Sequence, residues 1–279
     1  MADWRPIIKC RDDGFPRIMG VINVTPDSFF ERSRASNLDE ILERAIFMSE
    51  NGADWIDIGA ESTRPGASAV DPEEEERRAI PVVKAVRRAL PDVCISIDTR
   101  RASVARAALD AGADMVNDVS ALSDPAMAGL IAQRGCPVCI MHMQGLPEDM
   151  QDDPVYGDVV AEVRGALEKA TMSLFEAGVD PGVVIADPGI GFGKRLEHNL
   201  ALLSAGREIV PDERMRLLWG VSRKSMFHRL LGREDTADRL AGSLGIAAKA
   251  TGFDVDIIRV HDVAEHSDLF SAMSALEVD

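Results

Sequence analysis

Residues 94–119 read CISIDTRRASVARAALDAGADMVNDV, and this stretch decides the fold. CISID is a short, largely apolar run that ends at Asp98, and MVNDV is another that carries Asn117. Between them RRASVARAALDAG reads as a helix stopped by Gly112. Runs without strict polar alternation suit strands buried on both faces, as in a parallel sheet covered by helices. The stretch is a β-α-β unit in which each strand finishes on a polar side chain.

Working outward, the unit recurs. The other runs are IMGVINVT to Asn23, WIDIG through Asp57, VCIMHM at His142, VVIADPG at Asp187, LLWGVSRKS at Arg223 and Lys224, and IIRVHD at Arg259 and His261. Helical patterns separate them, at 38–52, after Pro72, at 123–135, 155–178, up to about Val210, at 236–252 and at 263–276. Residues 26–36, 144–154 and 229–235 read as polar loops. Eight strands alternating with helices in 279 residues predict an α/β fold, a (β/α)8 barrel formed as one domain over 1–279. Residues 4–18, with Asp13-Gly14 as turn signal, predict a short N-terminal hairpin that plugs the bottom of the barrel.

Composition narrows the function classes. The net charge of −16 argues against nonspecific binding to nucleic acid or an anionic membrane. No apolar run approaches the ~20 residues that cross a bilayer. The N-terminal sequence lacks a secretion pattern, so a cytoplasmic location is expected. Cys136 and Cys139 form a CxxC, but no second Cys or His pair completes a tetrahedral metal site, and reduced structural thiols are expected. Against the acidic background, Arg64, Lys194, Arg223, Lys224 and Arg259 fall at strand ends or in the loops after them, which suits an anionic substrate.

Polar groups at the carboxyl ends of barrel strands converge on one site. Asp98, Asn117 and Asp187 together offer donors and acceptors for a flat heterocycle with a guanidine-like edge, and Lys224 can meet a ring carbonyl or nitrogen. Any one of these carboxylates can instead cap the next helix. Arg259 and His261 share strand parity and face, a cradle for phosphate or pyrophosphate. Asn23 can ligate a hard cation such as Mg2+, or simply precede the Thr25-Pro26 turn. His261 can equally hydrogen-bond locally at a helix start. DPGIGFGK, residues 187–194, lacks the spacing of a phosphate loop. Its glycines are expected to let the backbone approach a flat ligand, and Phe192 either stacks on that ligand or packs. Met141 points into the barrel or out of it, with core packing as its default. No HExxH, GxSxG or Cys-His pair offers covalent catalysis.

Taken together and in order, MGVINVTPDSF, GADWIDIGAESTRPGA, ISIDTRRASVARAALDAGADMVNDVS, PVCIMHMQGLPEDMQ, DPGIGFGKRLEHNLALL, GVSRKS and IIRVHDV resemble the dihydropteroate synthase family. The resemblance runs from residue 19 to 263. It implies a TIM barrel, a homodimer contacting through its last two helices, and a Mg2+-assisted transferase of folate biosynthesis that is a sulfonamide target. That reaction joins 6-hydroxymethyl-7,8-dihydropterin diphosphate to 4-aminobenzoate, with pyrophosphate as leaving group. By resemblance, Asp98, Asn117, Asp187 and Lys224 hold the pterin, Met141 and Phe192 line its slot and Arg223 shapes the pocket. Asn23, Arg259 and His261 look like the diphosphate and Mg2+ set, and Thr63, Arg64, Ser225 and the Phe29 region like the aminobenzoate side. Asp98, Lys224, Arg259 and His261 would carry the chemistry.

The first loop departs from the family. Phe30-Glu31-Arg32-Ser33-Arg34 replaces the usual S-D-G-G, and the DSFF and basic pattern is similar to that of sulfonamide-insensitive members, although no residue is inserted near Ser225. Sulfamethoxazole inhibition separates ordinary from altered sensitivity. A pterin-dependent methyltransferase would share the pterin carboxylates without needing ESTRPG, SRKS or RVHD, and a non-catalytic pterin-binding paralogue would not turn over. Only the synthase requires both substrates and releases pyrophosphate.

Overall fold

A computed structural model describes residues 3–24, 34–62, 70–145 and 148–276, with the first four residues of 34–62 as backbone alone. Eight parallel strands close into a barrel in sequence order: β1 Arg17–Asn23, β2 Trp55–Gly59, β3 Cys94–Asp98, β4 Met115–Asp118, β5 Val138–Met141, β6 Val184–Asp187, β7 Arg216–Trp219 and β8 Ile257–Val260. Closure is made by β1 against β8, with Met19 opposite Arg259. The helices are α1 Arg5–Ile8, α2 Arg34–Glu50, α3 Pro72–Ala89, α4 Ala102–Ala111, α5 Met127–Arg134, α6 Val159–Glu176, α7 Leu196–Ala205, α8 Met226–Leu231, α9 Leu240–Ala247 and α10 Val263–Ser274.

Both faces of the strands are buried, which is why they read as apolar runs. Outward residues such as Ile56, Ile58, Ile95, Ile97, Val116 and Ile140 pack under the helices. Inward residues Met19, Trp55, Met115, Cys139, Ile185, Leu218 and Ile257 fill the lower barrel. Local signals behave as expected at α3, where the Asp71 carboxylate caps the helix by accepting from the Glu73 N–H at 2.9 Å and Pro72 opens the first turn.

Three expectations change. The N-terminal segment is a one-turn helix, α1, rather than a hairpin. Pro6 fits the first turn of a helix and cannot donate to a strand partner. The segment still stoppers the barrel, because Ile8 joins the interior cluster and the Trp55 indole donates to the Ile7 carbonyl at 3.0 Å. Asp13-Gly14 does form a turn, with Gly14 at φ 81°. Second, α8 occupies part of the stretch read as loop after β7. Third, 236–252 splits into short helical pieces around α9 rather than one helix. The cysteines are free thiols, with Cys136 and Cys139 buried.

Candidate active site

The site rises from side-chain parity. Two residues above the apolar interior layer, the same strands present Asp57, Asn117, Met141, Asp187 and Arg259, with Asp98 beside Asn117 in register. Arg259 organises this layer. Its Nε donates to Asp57 Oδ2 at 2.7 Å and its Nη2 to Asp98 Oδ2 at 2.8 Å. The Asn117 amide donates to the same Asp57 oxygen at 3.2 Å. Asp57 is fully buried, and its Oδ1 has no hydrogen-bond partner.

The electrostatics follow from burial in this water-poor layer. Burial pushes the Asp98 carboxyl up to about 7, against the pull of Arg259 and with help from Asp57. Asp187 is also raised by burial, while the Gly189 N–H donating to it at 2.7 Å works the other way. Burial lowers Lys224 to about 8, with Asp187 opposing the shift. For Arg259, burial disfavours the charge, but Asp57 and Asp98 outweigh it and the pKa rises. His261 falls to about 4 because it is buried and faces Arg259, so it is neutral at pH 7. Its backbone N–H and its Nδ1 both meet Ser222 Oγ at 3.1 Å. A hydroxyl that accepts from the N–H and donates to Nδ1 leaves the ring proton on Nε2. β8 ends at Val260, so His261 lies just beyond the strand, and its partner Ser222 comes from the loop after β7, 39 residues away, rather than from the start of the next helix.

Other predicted residues land as follows. Lys224 Nζ stands 3.9 Å from the centre of the Phe192 ring. Met141 is buried and shares the parity of Cys139, an interior residue. Asn23 is exposed at the end of β1, and Ser225 is exposed just before α8. Asp98 does not cap α4, whose first N–H, that of Ala102, donates to Asp124 Oδ2 at 2.8 Å, and Asp118 closes the turn after β4 by accepting from the Ser120 and Leu122 N–H groups. Arg223 is held bidentately by Asp262 along its Nε–Nη2 edge, with Nε at 2.9 Å from Oδ2, and its backbone N–H donates to Ser243 Oγ at 2.9 Å. Thr63, Arg64, Phe29 and the altered first loop lie outside the described residues.

DPGIGFGK differs in its working. A Cβ on Gly189 would come 1.9 Å from the His142 carbonyl oxygen, and one on Gly193 2.3 Å from that of Gln144. Both glycines have positive φ. The close approach they permit is to the backbone of the neighbouring loop. Sequence reasoning gave no role to Asp57, Ser222 or the Lys194–His142 contact. Asp57 alone carried a usable signal: a carboxylate inside WIDIG with the parity of the interior Trp55.

Among the described residues no group of three or more acidic, His or Cys side chains could hold a metal ion. A neutral oxygen at the rim, that of Asn23, suits Mg2+ only if substrate phosphates supply most of the coordination, the usual habit of that ion.

Residues 19–261 match the model of the pterin binding enzyme family, and the chain belongs to that family. Its similarity within the family is to dihydropteroate synthases. The Escherichia coli K12 enzyme is 43% identical over 254 residues, covering 91% of this chain and 89% of that one. A Yersinia pestis dihydropteroate synthase with a sulfonamide drug complex superposes with a TM-score of 0.87 at 40% identity, covering 95% of this chain and 96% of that one. A Burkholderia cenocepacia dihydropteroate synthase complexed with 7,8-dihydropteroate does so with a TM-score of 0.84 at 40% identity, covering 94% and 91%.

Proposed function

We propose the following course for the reaction and the following roles for its residues. The protein acts as a dihydropteroate synthase, a transferase of folate biosynthesis. The observation that carries this reading is the convergence of Asp98, Asn117, Asp187, Lys224 and Arg259 on one charged layer at the carboxyl end of the barrel. Asp98, Asn117 and Asp187 hold the amino and ring N–H edge of the pterin, and Lys224 donates to its acceptors. Phe192 and Met141 close the slot on either side.

Departure of pyrophosphate breaks the bond between the pterin methylene carbon and the bridging oxygen, and the electron pair leaves with the oxygen. Positive charge then spreads into the electron-rich ring, where the Asp98 carboxylate stabilises it. Arg259 and the Nε2–H of neutral His261 donate to the phosphate oxygens as charge builds there. The aniline nitrogen of 4-aminobenzoate supplies the pair for the new C–N bond and passes a proton to solvent water. No protein nucleophile is required, since positioning and charge placement carry the catalysis. Asn23 would hold Mg2+ together with the diphosphate, and the ion when bound neutralises leaving-group charge. Thr63, Arg64, Phe29 and Ser225 serve the aminobenzoate side.

Release of pyrophosphate from the dihydropterin diphosphate, with Mg2+ and with or without aminobenzoate, tests this. Dependence on aminobenzoate is expected. Pterin binding without release would make the chain a non-catalytic binder, and methyl transfer from a methylated pterin would make it a methyltransferase.

We also propose a cytoplasmic homodimer. The free thiols suit a reducing compartment. No helix among the described residues is long and apolar enough to cross a membrane. Leu230 and Leu231 on α8 are 45% and 48% exposed, and Leu276 after α10 is 87% exposed, apolar area that a second copy would cover. Sedimentation at micromolar concentration should give twice the chain mass, and a monomer would remove this part of the proposal.

A further inference from the structure

Lys194 is buried to 3% exposure, yet none of its hydrogen-bond partners is charged. Its ammonium meets His142 Nδ1 at 3.0 Å and donates to the His142 carbonyl at 3.3 Å and the Phe192 carbonyl at 3.0 Å. His142 is neutral, since burial and the adjacent lysine lower it to about 3. Burial lowers Lys194 to about 7, with Asp187 opposing the shift, so charge alone does not account for a lysine at this depth and its geometry does something else.

The partners show what that is. His142 follows β5, and Phe192 belongs to the loop that follows β6, so Lys194 ties the two loops together where Gly189 and Gly193 let their backbones touch. Phe192 is held at the same time by its N–H donating to the Gly189 carbonyl at 3.0 Å. Its ring lies under the Lys224 ammonium at 3.9 Å. The chain of contact runs Lys194, Phe192 backbone, Phe192 ring, Lys224.

We propose that Lys194 is a positioning residue for the pterin slot, acting through Phe192 on Lys224. The inference rests on the pterin-binding role proposed above. The rest of the loop has other anchors: Gln151 Nε2 donates to the Gly191 carbonyl at 2.7 Å, Tyr156 Oη to the Gly193 carbonyl at 2.9 Å, and the Gly191 N–H to Asn199 Oδ1 at 2.8 Å. Loss of Lys194 therefore loosens the Phe192 wall rather than the whole loop, and its effect falls on the pterin and not on aminobenzoate.

The test uses the full chain with Lys194→Met, which keeps the apolar stem, and Lys194→Gln, which restores N–H donors without charge. Binding of 6-hydroxymethyl-7,8-dihydropterin is read by titration calorimetry, which needs no turnover. KM for each substrate is measured alongside. Lys194→Met should weaken pterin binding about tenfold and raise KM for the dihydropterin diphosphate by the same factor, leaving KM for aminobenzoate within about twofold. Lys194→Gln should recover part of the loss. Wild-type pterin affinity in Lys194→Met overturns the proposal. So does a uniform loss in both variants that tracks a lowered melting temperature and raises both KM values together. A wild-type protein that fails to bind the pterin removes the underlying functional reading as well, which distinguishes the two failures.

Discussion

The lower layer of the barrel interior and the layer two residues above it are built on the same strands. Below stand Trp55, Met115, Cys139, Ile185 and Ile257, and above them Asp57, Asn117, Met141, Asp187 and Arg259. Strand geometry gives i and i+2 the same face, so each pair differs only in height. The lower layer is dry and apolar, sealed from beneath by Ile8. The upper one holds two carboxylates on one guanidinium. The apolar floor withholds water from the charges above it, and that burial is what moves Asp98 and Lys224 toward neutral pH. Stability and chemistry thus occupy adjacent storeys of one barrel.

The comparison breaks first at the floor. Trp55→Ala should destabilise the fold by about 3–5 kcal/mol, as large-to-small changes in a packed core do. Urea unfolding measures this, and kcat of the remaining folded fraction should stay near wild type. A collapse of kcat with intact stability would mean that the layers are not separable.

One storey up, Arg259→Ala should lower kcat/KM about 10²–10³-fold, the usual effect of removing a donor aimed at developing negative charge. Asp57→Asn tests whether the aim matters as well as the charge. It keeps the volume but removes the carboxylate that Arg259 Nε and the Asn117 amide share. A loss of about tenfold is expected, by analogy with groups that orient a ligand-binding side chain. Unchanged kinetics in Asp57→Asn would make Asp57 a bystander.

The pH dependence separates the layers without mutation. Asp98 titrates at about 7 in the fold against an ordinary value of 3.8. Between those values the native state keeps a proton that the unfolded chain has lost. The stability associated with protonated Asp98 is therefore full below about pH 4 and is lost as pH rises to about 7. In the proposed reaction the ionised Asp98 carboxylate is the acceptor, so activity should run the other way, with kcat/KM falling as pH drops through about 7. Denaturation of wild type and Asp98→Asn at several pH values gives the first trend. Parallel curves for the two proteins would place the titration elsewhere.

The upper layer was the more legible of the two in the sequence, for a physical reason. A polar residue in a strand buried on both faces is conspicuous, so Asp98, Asn117, Asp187 and Arg259 stand out from their apolar runs. Their pairing does not stand out. Arg259 and Asp57 are 202 residues apart, and no local spacing tells which carboxylate a cation meets. The same blindness hid the Lys194–His142 contact, the Ser222–His261 contact and the close approach of Gly189 and Gly193 to the loop after β5. At the N-terminus Asp13-Gly14 marked a turn, but the hairpin needed a strand that Pro6 disfavours. Closure of the barrel could be read ahead because it follows from counting alternating elements, a property of the whole chain rather than of any one contact.

Arg223 offers the smallest expected effect and the sharpest test of where the upper layer ends. Its resemblance-based place is the pterin pocket, but its guanidinium is held by Asp262 and its backbone by Ser243 and Arg239. It sits at φ 57°, in the left-handed region that a non-glycine residue occupies only when its surroundings hold it there. Arg223 is 30% exposed but Asp262 is buried, so this pair contributes about 1–2 kcal/mol, between an exposed and a buried ion pair. Arg223→Ala should therefore lower stability by no more than about that amount, with KM for the dihydropterin diphosphate changed less than about threefold. The measurement is the KM ratio of the variant to wild type at saturating aminobenzoate. A tenfold rise would mean that Arg223 exchanges Asp262 for the pterin when substrate arrives, and the charged layer would then extend beyond the strands into the loop after β7.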